Sequence, residues 1–239
     1  MVVDCGTTTW AKSDEIGERL TARYLQSLGV DTIDVVVLTH PHLDHVSGMA
    51  GLIGTKPARM VIDIGVRHRG SAYKAFLQSA QACGAVYRIA KRGQIIDFGD
   101  GVISEILNPH PVDNYHDLNN HSIAMRITYK DVAFLLAGDT EEEAESKMLA
   151  SCDRLDAQVL QVGHHGGADS CTPAFLARVR PTVAVISCGR HNEHGHPSRE
   201  VLARLEAIGA RVYRTDRDGA VIFTTNGKSV SIRTFGSNR

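Results

Sequence analysis

The chain has 239 residues, 43% of them hydrophobic and 22% charged, with a net charge of −1, the proportions of an ordinary globular protein of one large or two small domains. No run approaches the roughly 18 apolar residues of a membrane span, and no basic, apolar, small-residue leader opens the sequence, so a cytoplasmic location is the expectation. The five cysteines, Cys5, Cys83, Cys152, Cys171 and Cys188, are odd in number and lack CxxC spacing. That excludes a disulfide framework or a thiolate zinc site, and leaves any metal to histidine and aspartate.

In chain order, Val35–Leu38 is a continuous apolar run and reads as a buried strand. Met60–Ile64 reads as a second strand and Ser71–Cys83 as a helix. Ile95–Phe98 and Val102–Leu107 flank Gly99-Asp100-Gly101 as a hairpin. Ile123–Tyr129 and Val132–Ala137 form another, turning at Lys130-Asp131. Glu141–Ala150 is helical, with acidic residues in its first turn. Ala157–Val162 is a strand, Pro173–Val179 a helix capped by Thr172, and Val183–Ser187 a strand. Ser198–Ile208 is a helix capped by Ser198, and Val212–Tyr213, Ala220–Thr225 and Val230–Thr234 close the chain as strands. Asp216–Gly219, "DRDG", reads as a turn between strands. Hairpins mixed with helices exclude a purely parallel doubly wound sheet and suit two sheets packed face to face with helices outside, an α/β four-layer arrangement over a single domain, 1–239.

Polar residues cluster at the ends of these strands, where a rigid sheet can aim several loops at one point. "HPHLDH" follows the first strand and holds His40, His42, Asp44 and His45 within six residues. His40 and His42 are two apart, so an extended backbone points both the same way, and Pro41 favours that form at His40. Asp44 and His45 are adjacent and diverge, which fits a second centre. His121 precedes the Ile123 strand, Asp139 ends "LLAGDT", His164 and His165 follow "VLQVG", and His196 lies in "GHPS". Imidazole and carboxylate suit Zn, Mn or Fe.

This run is similar to the HxHxDH signature of the metallo-β-lactamase superfamily. "VVDCG" resembles that family's early strand ending in Asp-x-Gly, and "FLLAGDT" resembles its fourth motif. "AGDTEEEAE", "VLQVGHHGG", "FLARVRPTVAVIS", "GHPSREVLARL" and "VYRTDRDGAVIF" resemble the nuclease-like domain of ComEC-type competence proteins more closely. Two departures stand out. "NNHS" replaces the usual "NDNS", and both His42 and His121 are present, the fuller superfamily set. Asp4 also lies almost at Met1, so the usual preceding strand hairpin is missing, or lies upstream, or is replaced in another way. The membrane-channel part of ComEC is not in this sequence, so the resemblance does not extend to DNA uptake.

The resemblance implies a metallo-β-lactamase-like αββα sandwich and two divalent metal ions, Zn or Mn. It implies one metal on His40, His42 and His121 and a second on Asp44, His45 and His196, with Asp139 bridging. His191 and His194 are open alternatives to His196. Asp4 is expected to orient the "HPHLDH" loop as an acceptor behind the ligands. Two such ions can share a hydroxide nucleophile and neutralise charge on a phosphoryl or acyl oxygen. The catalytic groups are then Asp44 in the metal site and His164 and His165, one of which can donate a proton or bind a phosphate oxygen.

From Ser170 onward 11 Lys/Arg stand against 5 Asp/Glu, a surplus of six, and the preceding part carries −7. That surplus suits a polyanion, and equally suits solvated arginine-rich helix faces. Ser170, Thr172, Arg214 and Arg217 are the candidate substrate contacts, with Arg190 also available. The expectation is a dinuclear metal hydrolase of a phosphodiester, DNA or RNA. A lactone, thioester or β-lactam hydrolase is the alternative, and a non-catalytic nucleic-acid-binding domain is the third reading.

Overall fold

A computed structural model describes residues 1–7, 17–110, 116–152 and 154–236. The chain forms two compact units, Met1–Ala90 and Lys91–Arg239.

The first unit is built on a four-stranded sheet in the order β1-β2-β3-β4, formed by Val2–Val3, Ile33–Val37, Ala58–Asp63 and Val86–Ile89. All its pairings are parallel, with Val36 opposite both Val2 and Val61. Helices Ala22–Ser27, Met49–Thr55 and Ser71–Ala82 supply the apolar side chains that cover Val36, Leu38 and Val61, chiefly Met49, Leu52, Ile53, Tyr73 and Phe76. Val35, Val37 and Ile62 on the opposite face are buried too, so beyond the exposed Asp34 residues 35–38 read as an unbroken apolar run rather than an alternating one. The C-terminal ends of parallel strands lie together, so residues following β1, β2 and β3 share one end of this sheet.

The second unit carries a seven-stranded sheet in the order β11-β10-β9-β8-β7-β6-β5. Its strands are β5 Ile95–Asp97, β6 Val102–Asn108, β7 Ala124–Tyr129, β8 Val132–Leu136, β9 Val159–Gln161, β10 Val183–Ile186 and β11 Arg211–Arg214. β5 to β8 are antiparallel, joined by the two expected hairpins, and β8 to β11 are parallel. Helices Glu142–Ser151, Pro173–Val179 and Arg199–Ala207 lay Met148, Phe175, Leu176, Val179, Val201 and Leu205 over Leu135, Leu160 and Ile186. Thr172 Oγ1 and Ser198 Oγ cap the last two helices, accepting from Phe175 N at 3.3 Å and Val201 N at 3.1 Å. "DRDG" forms a single helical turn, Thr215–Asp218, ended by Gly219 at φ 65. A separate hairpin, β12 Val221–Thr225 with β13 Val230–Thr234, completes the unit.

Strand β4 was not expected from the sequence. It is an exposed edge with Val86 and Ile89 about half open, and "VYRI" has neither the alternation nor the apolar run of a covered strand. The short helices Leu43–Val46 and Met49–Thr55 were also missed. The first is a single turn and the second contains Gly51 and Gly54, so neither shows a helical period of useful length. No helix among the described residues is long and apolar enough to cross a membrane.

Candidate metal centre

In the first unit the end of β1 and the loop after β2 are locked together. Asp4 N donates to Val37 O, Cys5 N to His45 O, and Gly48 N to Cys5 O, at 2.9, 2.9 and 2.7 Å. Gly6 is required there, because a Cβ would overlap the Asp44 carbonyl. Asp4, at φ 55, turns its carboxylate back into the loop. It accepts from Thr39 N at 2.8 Å, Thr39 Oγ1 at 2.7 Å and His45 Nδ1 at 2.7 Å.

That last bond fixes the His45 tautomer. A carboxylate can only accept, so Nδ1 carries the proton and Nε2 presents a lone pair. His45 Nε2 faces Asp44 Oδ2 at 3.7 Å. His40 is fully buried, and its Nε2 lies 2.9 Å from His42 Nδ1. His40, His42, Asp44 and His45 therefore offer four donor groups from one six-residue stretch, with the loop held from behind by Asp4.

The second unit repeats the device. After β9 the chain enters a tight turn in which His164 and His165 both adopt left-handed backbone, φ 46 and 53. Residues with side chains rarely do so, at a cost of order 1–3 kcal/mol each, and such positions concentrate at functional sites. The turn is held by glycine, since a Cβ on Gly163 would meet Thr140 O at 2.6 Å and one on Gly166 would meet Pro197 Cβ at 2.7 Å. His165 Nδ1 lies 2.8 Å from Ser187 O. A carbonyl only accepts, so Nδ1 again carries the proton and the lone pair is on Nε2. That nitrogen faces Asp139 Oδ2 at 3.5 Å, and Asp139 is 3% exposed. A neutral imidazole so oriented presents its Nε2 lone pair to the carboxylate, an arrangement that fits a cation between them. The donor set fits a divalent metal held by histidines whose other nitrogen is tied to protein oxygen.

His196 is placed differently from His165. Its ring packs against His164 and stacks on His194, with centroids 5.3 and 5.7 Å apart. Asn192 clamps its backbone, accepting from His196 N at 2.8 Å and donating to His196 O at 2.7 Å. Burial, then the nearby His164, His165 and His194, hold the imidazole below its ordinary range. His121 ends a 3-10 turn, Asn119–His121, just before β7.

His164 belongs to another network. Its Nδ1 lies 3.0 Å from Glu141 Oε1 and 3.3 Å from Asp169 Oδ1. The hydrogen bond to Glu141 pushes His164 up to about 9, outweighing burial, with Asp139 adding to the effect. Burial opposes the matching shift of Glu141, yet the bonds from His164 and Asn119 hold its carboxyl below the usual range. Asn119 and Asn120 donate to the two Glu141 oxygens at 2.8 and 3.0 Å, tying "NNHS" to "GDTE". Glu141, His164 and Asp169 could on distance alone hold an ion, all three donor atoms lying within 4.8 Å of one another. Direct carboxylate contacts make His164 a held cation instead. Sequence reasoning missed Glu141, whose signal was its place as the first glutamate after Asp139, two residues on.

Three of the four candidate substrate contacts are already engaged. Ser170 Oγ is fully buried at 2.9 Å from both Gly163 O and Gly167 O, closing the histidine turn. Thr172 is the helix cap described above. Arg214 makes a two-pronged pair with Asp216 at 3.0 and 2.7 Å. Arg217 sits in the last turn of the short helix before Gly219.

Residues 1–191 match the family model described as the Metallo-beta-lactamase superfamily. The chain belongs to that superfamily. It is 31% identical over 207 residues to ComE operon protein 3 of Bacillus subtilis (strain 168), covering 86% of this chain and 26% of that protein. It is 30% identical over 227 residues to Competence protein ComA of Neisseria gonorrhoeae, covering 93% and 29%. The chain thus spans under a third of the length of either relative. Among solved structures it resembles the metallo-beta-lactamase fold protein YhfI from Bacillus subtilis, with TM-score 0.55 and 13% identity over 96% of this chain and 86% of that one. The expected metallo-β-lactamase fold and the likeness to ComEC-type proteins are both borne out.

Proposed function

We propose that this superfamily member is a dinuclear metal-dependent hydrolase of phosphodiesters, with nucleic acid as the substrate class. The observation that carries the metal part is the paired device: His45 against Asp44 and His165 against Asp139, each imidazole with its Nδ1 proton already committed. The phosphodiester part is supported by the competence-protein relatives.

The proposed ligands are His40, His42, Asp44, His45, His121 and Asp139, and the remaining position falls to His165 in place of His196. Bound divalent ions, Zn or Mn by donor chemistry, supply electrophilic help to a phosphoryl oxygen and lower the pKa of a water nucleophile. The chain's own contribution is orientation and charge. Asp4 and Ser187 O fix the imidazole tautomers. Glu141 keeps His164 cationic at neutral pH, so that it can neutralise a phosphate oxygen or pass a proton to the leaving group.

The test is a screen of Zn- and Mn-loaded protein against single-stranded DNA, RNA, bis(p-nitrophenyl) phosphate, a lactone and nitrocefin. The proposal expects chelator-sensitive cleavage of the phosphodiesters. Hydrolysis of the lactone or nitrocefin with no phosphodiester cleaved would transfer the site to small-molecule chemistry.

A further inference from the structure

One buried carboxylate in the first unit has no part in the metal chemistry. Asp63 ends β3, is fully buried, and has no cationic partner among the described residues. It accepts from Tyr73 OH at 2.6 Å, from Tyr87 OH, and from Gly65 N at 2.7 Å. Tyr73 OH also reaches Val66 O at 3.3 Å. Both phenols are raised well above their ordinary range, by burial first and by Asp63 next, so they remain donors at any working pH. An enclosed carboxylate is costly unless its acceptors are filled, and here three donors fill them.

What the cluster holds is the loop 64–70, "IGVRHRG". Its root is fixed at Gly65, φ 70, where a Cβ would press on the Ile89 side chain at 2.9 Å. Further along, His68 Nδ1 accepts from Gly70 N at 3.2 Å and its ring meets Tyr73 edge-on at 5.9 Å. Between these anchors Arg67 and Arg69 are exposed. Neither has a carboxylate within salt-bridge distance among the described residues, whereas Lys56 pairs with Asp31 and Arg59 with Asp34. The first turn of the following helix carries no acidic residue to offset them.

The loop also has a definite place. It leaves β3 at the same end of the sheet at which "HPHLDH" leaves the adjacent β2, and Leu38 N donates to Ile62 O where the two diverge. The helical turn that begins within "HPHLDH", Leu43–Val46, packs against the helix that follows this loop, Ser71–Ala82.

We infer that Arg67 and Arg69 form a pre-set phosphate-binding rail beside the metal loop, contacting the backbone of a polynucleotide on the side of the scissile bond. The inference rests on the phosphodiesterase reading for its substrate class. Two guanidiniums on a loop fixed at its root contact phosphates with little ordering cost, and guanidinium suits phosphate by its forked donors.

The experiment uses metal-loaded full chain and a fluorescein-labelled, phosphorothioate-linked single-stranded 12-mer, with binding followed by anisotropy from 50 to 300 mM salt. Arg67→Gln/Arg69→Gln removes two contacts, so the slope of log K against log salt should fall by about 1.4, with roughly tenfold weaker binding at the lowest salt. Arg67→Lys/Arg69→Lys should restore most of the slope. Turnover of bis(p-nitrophenyl) phosphate, too small to reach the rail, should stay within about twofold, and circular dichroism should be unchanged. Equal affinity and slope in wild type and the Gln variant overturn the rail, as does a wild type that binds no oligonucleotide. Cleavage of unmodified substrates by the wild type is scored separately. Binding without cleavage would therefore sink the hydrolase reading and leave the rail standing.

Discussion

Replacing His165 by alanine should remove one metal equivalent from the protein, and replacing His196 should not. The reasoning is local to the second unit. His165 Nδ1 is committed to Ser187 O at 2.8 Å, so the lone pair on Nε2 is aimed at Asp139, 3.5 Å away. His196 is instead packed between His164 and His194 and held by Asn192 through its backbone. Losing only the hydrogen bond behind a ligand costs about 10–100-fold in metal affinity, so losing the ligand itself should cost at least that. At micromolar protein, dialysed against metal-free buffer after loading, such a loss empties the site. Elemental analysis should give close to two equivalents for wild type and His196→Ala and close to one for His165→Ala. The opposite pattern, with His165→Ala full and His196→Ala depleted, would refute the tautomer argument and return His196 to the ligand set.

Three further outcomes follow from the same contacts. Asp139→Ala should abolish hydrolysis while circular dichroism stays close to wild type, since the residue lies in the turn beyond β8 and the core neighbours of that strand are untouched; turnover and spectrum are measured on one sample. Asp4→Ala should lower metal affinity by about 10–100-fold, read by competition with a chelating dye, because it frees the His45 tautomer and ring orientation. Glu145→Ala should destabilise the fold by about 1–3 kcal/mol in urea titration, because the 1%-exposed carboxylate accepts from Cys171 N and Thr172 N, and the buried Cys171 N would be left without that acceptor.

What the sequence could reveal was set by range. "HPHLDH" is read directly because its candidate ligands lie within six residues, and Thr172 and Ser198 were recognisable as caps because capping is a three-residue affair. The hairpins at Gly99–Gly101 and Lys130-Asp131 were equally local. The choice between His165 and His196 was not, because the deciding atom, Ser187 O, lies 22 positions from His165 on a neighbouring strand end. Glu141 and His164 are likewise joined only by the fold, and Asp63 gave no sign in the sequence of the tyrosines that enclose it. Strand β4 escaped because an exposed edge does not need the apolar pattern by which strands are read.

Charge illustrates the same limit with a different outcome. The surplus of six beyond Ser170 points to the C-terminal segment as the polyanion face. Most of those arginines are occupied within the protein. Arg214 pairs with Asp216, and Arg190 donates to Asp216 O at 3.0 Å. Arg204 holds Ala168 O and Ser170 O, bracing the histidine turn. Arg211 and Arg233 lie over Tyr213 and Phe235 at 4.9 and 4.8 Å. A guanidinium already hydrogen-bonded to a carboxylate or carbonyl must give up that bond to take a phosphate, and the net gain shrinks accordingly. Arg67 and Arg69 lie in the part of the chain with a formal charge of −7, yet neither has such a prior claim among the described residues, and the loop that carries them is fixed in place beneath them. Net charge counts cations, whereas binding depends on which cations are uncommitted and held still. On that ground the phosphate path should follow the metal loop's own sheet end, and reversing Arg214 should disturb the Asp216 turn more than it disturbs binding.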